Sequence, residues 1–277
     1  MSGILFFKTK DLKRIIKFYI RIGAVVWLEQ PDCTIIKHGN LLLGFCQRES
    51  CDTEGMITFF YPEKENVDSI YELLKEEAET EPKENQRYAI YHFFARDPEG
   101  RAIEFQCFLH HLLPYEDGTE VLLKRRSIRE FRDDPVTESI LQDIFEMCRF
   151  PPSSRNAQPY YFVVVTDRKK LEYLASLRGG PSAPIGRAPL AVALCSDPEK
   201  SGAYVQDGCI AAYHFMLASR CYGLGTCWIA AMDRTEVKST LLIPEHHYVV
   251  TVTPLGYPLR MPEPPARRKV GDFVRIE

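Results

Sequence analysis

The pattern of apolar residues changes at residues 110–119, which indicates that the chain does not fold as one uniform domain. Before it, short apolar runs of strand length alternate with amphipathic helical segments, whereas longer helical segments dominate after it. The segment between them, HHLLPYEDGT, has no sustained periodicity and is broken by Pro114 and Gly118. Because 277 residues exceed the usual size of one domain, we predict two domains, residues 1–112 and 113–277.

The first half is predicted to contain the order strand, helix, strand, strand, strand, twice over. The first copy runs through ILFFKT, the helix DLKRIIKFYIRIG, and the strands AVVWLE, CTIIKH and LLLGFC. The second copy runs through MITFFY, the helix NVDSIYELLKEE, a weak strand ETEPK, and the strands YAIYHFFAR and RAIEFQCF. An internal duplication is the economical interpretation of this repeated order.

Charge and cysteine content narrow the functional class. The chain has 35 Lys+Arg against 38 Asp+Glu and a net charge of -3, which argues against general binding of nucleic acid. No apolar stretch approaches the ~20 residues that span a bilayer, and the N-terminus lacks the features of a signal peptide, so we expect a cytoplasmic protein without membrane association.

The nine cysteines form no CxxC pair and mostly stand in apolar contexts, which predicts reduced core thiols. Only Cys46 and Cys51 are a plausible disulfide pair, and a cytosolic setting disfavours that bond.

The second half predicts a mixed α+β domain. TEVLLKRR and TESILQDIFEMCRF have helical periodicity, and YYFVVVTD and PLAVALCSD are typical of buried strands. The segment AYVQDGCIAAYHFMLASRCYGLG predicts a long helix that ends at Gly223 or Gly225. Because this helix is apolar nearly all round, we expect it to be central and to be covered in part by a second subunit.

The segment KRRSIREFR at residues 124–132 carries four arginines and one lysine. A solvated basic surface is one interpretation, and an anion site is the other. An anion site requires partners, and three segments are candidates: PPSSRNAQPYYFVVV, YGLGTCWIAAM and PPARRKV. Taken singly, each has an ordinary explanation as a turn, a helix end or a solvated tail.

Taken together and in this order, the four segments resemble the nitroreductase family of FMN-dependent flavoproteins, over about residues 118–277. The resemblance implies FMN as cofactor, NAD(P)H as reductant, and a small electron-poor acceptor such as a nitroaromatic or a quinone, used in a ping-pong cycle. It also implies a homodimer with FMN at the subunit interface. No side chain is expected to act as an essential acid or base, so we predict no catalytic residues.

The same resemblance indicates which residues contact FMN. Guanidinium groups suit the phosphate, because they form charge-assisted and often bidentate hydrogen bonds, and the amides of Asn156 and Gln158 suit the ribityl chain and the pyrimidine edge. Backbone N–H groups in residues 228–231 are expected beside flavin N5, where they would stabilise negative charge. The predicted cofactor-binding residues are Arg125, Arg126, Ser127, Arg129, Pro152, Ser153, Ser154, Asn156, Gln158, Trp228, Ile229, Ala230, Ala231, Arg267, Arg268 and Lys269.

Within the basic segment, Lys124 and Arg132 are expected to matter little for FMN. Two segments depart from the family pattern, since Arg155 stands where glycine or threonine is frequent, and Ala230 and Ala231 stand where an acidic residue or glycine is frequent. The Gly- and Pro-rich residues 178–186 are either a mobile lid or a plain loop.

Two further functions stay open: another reduced-flavin reaction, such as dehalogenation or flavin fragmentation, and a non-enzymatic flavin-binding sensor.

The first half resembles the vicinal-oxygen-chelate fold of glyoxalases and bleomycin-resistance proteins, through DLKRIIKFYIRIGA and DPEGRAIEF. Among the four metal-ligand positions that this resemblance implies, only Glu104 offers a donor atom. The other three fall near Ile4, in residues 42–44, and near Met56 or Ile57, where no side chain can bind a divalent ion. We therefore predict no metal site, and expect either a small-molecule cup, for example one that selects an aromatic ligand, or a dimerisation module. Lone histidines here (His38, His92, His110, His111) are more often satisfied within the fold than ligands.

Overall fold

The computed structural model describes residues 4–110 and 118–277. The chain forms two compact units that divide between residues 117 and 118. Each unit has its own hydrophobic core.

The N-terminal unit contains two copies of one arrangement. The first copy consists of β1 (Leu5–Thr9), α1 (Leu12–Arg21), β2 (Val25–Glu29), β3 (Cys33–His38) and β4 (Leu41–Gln47). The second consists of β5 (Met56–Tyr61), α2 (Lys64–Leu73), β6 (Lys83–Asn85), β7 (Ile90–Arg96) and β8 (Ala102–Phe108). The two sheets have the orders β1-β4-β3-β2 and β5-β8-β7-β6, with the first pair parallel and the others antiparallel in both. The duplication predicted from the sequence is therefore present.

Local chemistry explains the first helix. The Asp11 side chain caps α1 by accepting a hydrogen bond from the Arg14 N–H, and the helix buries Ile15, Phe18 and Tyr19. Gly23 then adopts a φ of +97°, which a side chain would disfavour, and ends the helix where the sequence predicted.

A buried ion cluster connects the two copies. The guanidinium of Arg101 lies 2.8 Å from Asp97 and 2.6 Å from Glu99, and it donates to the Lys8 carbonyl at 2.6 Å. Arg101 is 2% exposed, so both carboxylates compensate for the cost of burying its charge. The DPEGRAIEF segment therefore has a structural role inside this unit.

A disulfide joins Cys33 and Cys46. The prediction that Cys46 and Cys51 form the only plausible pair is wrong, because the antiparallel β3–β4 ladder places Cys33 directly opposite Cys46. Cys51 lies beyond the end of β4 and is free. The expectation of free core thiols is confirmed in other places, where Cys107, Cys148, Cys195 and Cys227 are buried and unpaired.

The C-terminal unit is a mixed α+β fold. Its helices are α3 (Gly118–Lys124), α4 (Glu138–Met147), α5 (Arg168–Ser176), α6 (Tyr204–Cys221) and α7 (Thr235–Leu241), with short 3-10 turns at Ser154–Asn156, Ala183–Arg187 and Val270–Asp272. Its strands are β9 (Tyr160–Val165), β10 (Leu190–Ser196), β11 (Gly225–Thr226) and β12 (Tyr248–Gly256). They form an antiparallel sheet in the order β11-β12-β10-β9. None of the helices in the described parts of the chain is both long and apolar enough to cross a membrane.

The central strand β10 separates two apolar layers. Ala191, Ala193 and Cys195 belong to the core that α5 and α7 cover, whereas Val192 and Leu194 belong to the core that α4 and α6 cover. This alternation follows from the two-residue period of a strand whose two faces are both buried.

Helix α6 packs closely on β10 through Gly208. A Cβ atom at Gly208 would lie 2.2 Å from Ser196 Oγ, so only glycine fits there. The sequence predicted a central helix that a second subunit covers in part, and Ile210 and Tyr213 are 42% and 45% exposed in this chain. Within this chain, α6 is therefore covered on only part of its circumference.

Candidate active site

The basic segment is fixed to the edge of the sheet. The Ile128 N–H donates to the Thr226 carbonyl at 2.9 Å, and Ser127 pairs with Thr226 in a parallel bridge. Ile128 is buried against Gly225, where a Cβ atom would lie 2.5 Å from Ile128 Cγ1. Gly225 in β11 thus leaves room for Ile128, which anchors the basic segment.

The charges of this segment divide into two groups. Lys124 pairs with Glu120, and Arg132 lies 3.0 Å from Asp134. Arg125, Arg126 and Arg129 have no carboxylate partner among the residues that the structure describes. The Arg126 guanidinium donates only to the carbonyls of Leu123 and Arg125, and that of Arg129 only to the Ser127 carbonyl at 3.5 Å. Three guanidinium groups are therefore left with unused donors.

Two of these arginines open onto a pocket. Arg125 and Arg126 line it together with Arg220 from the end of α6, and the strand residue Thr226 forms part of the wall. The remaining lining residues are Ile128, Met216, Gly223, Leu224, Gly225, Pro258 and Met261. Arg220 was not predicted from the sequence, because a basic residue in the last turn of a helix is common and interacts favourably with the negative end of the helix dipole. The pocket is consequently lined by three arginines together with mostly apolar residues.

Cys227 lies beneath the basic segment. Burial raises the pKa of its thiol, while the charges of Arg129 and Arg125 and a hydrogen bond with Ser127 act in the opposite direction. Arg129, Ser127 and Arg125 therefore all lie near this thiol. The structure therefore brings together three of the residues predicted to hold phosphate.

The loop at residues 152–158 is held in an unusual backbone conformation. Arg155, Asn156 and Gln158 have positive φ values of 51°, 57° and 45°. Such values are uncommon outside glycine, and they persist only where surrounding contacts enforce them. Clusters of this kind are typical of functional sites.

Asp207 supplies one of the contacts that enforce this loop. The Ser154 N–H donates to Asp207 Oδ1 at 2.9 Å, and the Ser201 hydroxyl donates to Asp207 Oδ2 at the same distance. Asp207 is 3% exposed in the first turn of α6. Sequence reasoning missed it, although a lone carboxylate in an apolar helix was a usable signal.

Asn156 and Gln158, the two amide residues predicted to contact FMN, are hydrogen-bonded to each other. Gln158 Nε2 donates to Asn156 Oδ1 at 3.0 Å, and the Gln158 N–H donates to the Ser153 hydroxyl at 3.0 Å. Pro152, Ser154, Asn156 and Gln158 are exposed. The loop therefore presents oriented amide groups at the surface of the unit.

Residues 227–231 alternate between inward and outward positions. The Cys227 N–H donates to Thr253 Oγ1, and the Ile229 N–H donates to Thr251 Oγ1, both at 3.2 Å. Thr251 also donates back to the Ile229 carbonyl at 3.0 Å. The expectation that Ile229 offers its N–H to a cofactor is therefore corrected, since β12 already uses that donor.

The outward residues of this stretch remain accessible. Trp228 is 39% exposed, Ala230 and Ala231 are exposed, and Ala231 has a φ of +54°. In the described parts of the chain, the N–H groups of Trp228, Ala230 and Ala231 have no hydrogen-bond acceptor. Three of the four predicted backbone donors are thus available.

Residues 178–186 form a packed turn. The Ser182 hydroxyl donates to the Ala175 carbonyl at 2.6 Å and accepts from the Arg178 N–H at 3.0 Å, and Ser182, Pro184 and Ile185 are buried. The Arg178 guanidinium donates to the Ala230 carbonyl. This packing favours the plain loop over the mobile lid, and it places a cation beside the 228–231 stretch.

The second basic cluster does not contact the first among the described residues. Arg267, Arg268 and Lys269 are exposed; the Arg268 guanidinium lies over the Phe273 ring at 5.4 Å, and the Lys269 N–H donates to Asp272. Within one chain, the structure does not bring these three residues to the pocket.

In the N-terminal unit, Glu104 is part of a polar pair. His92 Nδ1 lies 2.6 Å from Glu104 Oε1, and the Thr58 hydroxyl donates to Glu104 Oε2 at 3.0 Å. His92 is thus satisfied within the fold, as expected of a lone histidine. His111 lies outside the described residues.

Comparison with known proteins gives a consistent result. A family model described as the nitroreductase family matches residues 122–197 and 184–257. A protein of Archaeoglobus fulgidus, whose name refers to NADH dehydrogenase and NAD(P)H nitroreductase activity, is 33% identical over 152 residues, covering 52% of this chain and 86% of that protein. A protein of the same name from Methanothermobacter thermautotrophicus is 34% identical over 167 residues, covering 58% of this chain and 85% of the other. The solved structure of an NADPH:FMN oxidoreductase from Vibrio harveyi, complexed with NAD+, is 27% identical with a TM-score of 0.53, covering 57% of this chain and 76% of the other.

Proposed function

The chain belongs to the nitroreductase family of enzymes, and from this premise we propose that its C-terminal unit is an FMN-dependent NAD(P)H oxidoreductase. The proposed acceptor is a small electron-poor molecule such as a nitroaromatic or a quinone. One observation carries the proposal: among the described residues no carboxylate pairs with Arg125, Arg126 or Arg129, the first two of which line a pocket, while carboxylates pair with the neighbouring Lys124 and Arg132.

The residues present fit the phosphate of FMN. A phosphate dianion requires several cationic donors without competing carboxylates, and Arg125, Arg126 and Arg129 satisfy this condition. The Ser127 hydroxyl lies in the same stretch and can add a neutral donor. In this proposal, these residues bind and orient the phosphate end of the cofactor.

The residues present also fit the polar parts of the flavin. The exposed amides of Asn156 and Gln158 can donate and accept, and the Asp207–Ser154 contact fixes the loop that carries them. The outward N–H groups of Trp228 and Ala230 are donors without an acceptor in the described chain. We propose that these four residues orient the ring system, with Pro152, Ser153 and Ser154 allowing the backbone to approach it.

When bound, FMN would supply the hydride chemistry that connects NAD(P)H with the acceptor. The chain's own groups would hold the reactants in position, exclude water and stabilise negative charge through backbone donors. No side chain acts as an essential acid or base in this proposal. The reductant and the acceptor use the same face of the site in turn.

We further propose that two copies assemble. Exposed apolar side chains occur on α6, at Ile210 and Tyr213, and along the C-terminal segment. That segment exposes Leu259, Met261, Val270, Phe273, Val274 and Ile276. A second copy that covers these surfaces would also provide a route for Arg267, Arg268 and Lys269 to reach the phosphate of the partner's cofactor.

The N-terminal unit is proposed to be a small-molecule cup of the glyoxalase type that selects an aromatic ligand. The repeated sheet order supports this assignment. A chain that begins at residue 113 should then retain FMN but show changed acceptor specificity. Unchanged specificity and unchanged oligomeric state in that chain would contradict the proposed role.

The experiment that tests the main proposal is spectroscopic. The purified protein should show the visible absorption of bound flavin, and anaerobic NADH or NADPH should bleach it. Addition of a quinone or nitroaromatic should then restore the absorption. A colourless protein that takes up no added FMN would contradict the proposal.

A further inference from the structure

One end of the C-terminal sheet carries a cluster of metal-ligating side chains that the proposed oxidoreductase function does not use. Ser196 pairs with Tyr248 in the β10–β12 ladder, so the next residue on one strand and the preceding residue on the other, Asp197 and His247, face each other. His246 is adjacent. The ligand atoms of these three side chains all lie within 4.8 Å of one another.

We propose that Asp197, His246 and His247 form a binding site for a divalent transition-metal ion of the Zn²⁺ type. Two imidazole nitrogens and a carboxylate oxygen are a donor set that suits such ions and is poorly suited to Mg²⁺ or Ca²⁺, which prefer oxygen ligands. His247 Nε2 and Asp197 Oδ1 are 3.7 Å apart. Ligands on one tetrahedral ion with bonds of about 2.0–2.1 Å lie roughly 3.3–3.5 Å apart, so binding requires only small side-chain movements.

The exposed carboxylate of Glu199 can complete the coordination. Its Oε1 atom lies 3.7 Å from His246 Nε2, and its side chain is 79% exposed, so it is free to rotate towards a bound ion. The Glu199 N–H also donates to Asp197 Oδ1 at 2.9 Å, which orients that carboxylate. The cluster thus contains three ligands in place and a fourth within reach.

Contacts outside the ligand set hold the histidines in position. The Tyr161 hydroxyl lies 2.8 Å from His247 Nδ1, which leaves Nε2, the atom nearest Asp197, as the coordinating nitrogen. Hydrogen bonding of the second ring nitrogen is the usual support of a metal-bound histidine.

The turn that carries the histidines is anchored as well. The Lys238 ammonium donates to the Glu245 carbonyl at 2.7 Å. Its charge is compensated by Asp233 at 3.0 Å, so it opposes a bound cation only weakly. The turn therefore presents His246 and His247 on a fixed backbone.

The site would also stiffen a segment that supports the loop at residues 152–158. The Asp197 N–H donates to the Pro159 carbonyl at 2.9 Å, and residues 197–207 run from the proposed ligand to Asp207, which holds Ser154. A bound ion would therefore restrain the Asp197 end of this segment, whose other end is already held by the bond between Asp207 and Ser154.

The test is a Zn²⁺ titration of the untagged full-length protein against a chromogenic chelator, which needs no enzyme activity. We expect one Zn²⁺ per chain, at least tenfold weaker binding in His246→Gln and in His247→Gln, and loss of the site in the double variant. Tyr161→Phe should weaken binding about tenfold. His214→Gln, a histidine on α6 outside the cluster, is the matched control and should bind like the wild type.

Thermal denaturation with and without Zn²⁺ separates a lost site from a lost fold. The wild type and His214→Gln should gain in melting temperature with Zn²⁺, whereas the double variant should keep the metal-free melting temperature of the wild type and gain nothing. Equal Zn²⁺ affinity in the wild type and the double variant would overturn the proposal, as would the absence of any Zn²⁺ binding by the wild type.

Discussion

The backbone N–H of Ser154 donates to the buried carboxylate of Asp207 at 2.9 Å, across 53 positions of sequence. This bond ties the left-handed loop at residues 152–158 to the first turn of α6. The loop conformation and the helix position therefore depend on each other.

Replacement of Asp207 by alanine should weaken both the fold and cofactor binding. The change leaves the Ser154 N–H and the Ser201 hydroxyl without their acceptor, and hydrogen bonds to a charged group are each worth roughly 1.5–3 kcal/mol. Urea denaturation should show a loss of that order in the free energy of unfolding, and an FMN titration should show at least tenfold weaker binding. Glu199→Ala is the control for removal of a nearby carboxylate, and it should leave FMN affinity unchanged. Wild-type FMN affinity in Asp207→Ala would show that the loop holds its conformation without this residue.

Replacement of Thr251 by valine should destabilise the C-terminal unit. The valine has a similar shape but cannot accept from the buried Ile229 N–H or donate to its carbonyl. An unsatisfied buried donor costs about 1–3 kcal/mol, which urea denaturation can measure. Thr240→Val is the control, because that hydroxyl is near the surface and donates to a helix carbonyl. Equal stabilities of the two variants would contradict the proposed role of Thr251.

Replacement of Gly225 by alanine should displace the basic segment. The new Cβ atom would lie 2.5 Å from Ile128 Cγ1, and overpacking of this kind costs about 1–3 kcal/mol. FMN affinity should fall together with stability, because Ile128 anchors the arginines. Gly202→Ala is the control, since nothing lies within 4 Å of a Cβ atom there. A Gly225→Ala protein with unchanged FMN affinity would show that the anchor is dispensable.

Two buried thiols should make stability depend on alkaline pH. Burial raises the pKa of Cys195 to about 12 from an ordinary value of 9.0, and burial does the same for Cys148. The unfolded chain ionises these thiols first, so their contribution to stability is complete below pH 9 and is lost as the pH rises towards 12. Urea denaturation between pH 8 and pH 10.5 should show a steeper loss of stability in the wild type than in Cys195→Ala. The same pH dependence of stability in the wild type and Cys195→Ala would show that the Cys195 thiol does not have a raised pKa in the folded protein.

Local signals in the sequence identified most of the fold. The apolar spacing of α1 and its closing Gly23, and the repeated strand–helix–strand–strand–strand order, depend on neighbours along the chain and were predicted from it. The Cys33–Cys46 disulfide was not, because only the β3–β4 register shows which cysteines face each other.

The residues of the candidate site show the same difference between local signals and long-range contacts. Arg125, Arg126 and Ser127 could be predicted as FMN-binding residues because they belong to one contiguous motif, and that role stays a prediction; the structure places Ser127 beside Thr226 at the sheet edge. Asp207 and Thr251 were missed, since each hydrogen-bonds to a segment more than 20 positions away, at Ser154 and Ile229 respectively. The roles of Arg267, Arg268 and Lys269 stay a prediction that depends on a second subunit.

The FMN affinities of five single-alanine variants test whether Arg125, Arg126 and Arg129 bind the phosphate of FMN. Equilibrium titration of apoprotein with FMN should show at least tenfold weaker binding for Arg125→Ala, Arg126→Ala and Arg129→Ala, because each removes a donor that no carboxylate of the described chain engages. Lys124→Ala and Arg132→Ala should bind FMN like the wild type, because carboxylates already pair with both side chains. Unchanged affinity in Arg129→Ala, or an equal loss in all five variants, would contradict the assignment of this segment as the phosphate end of the site.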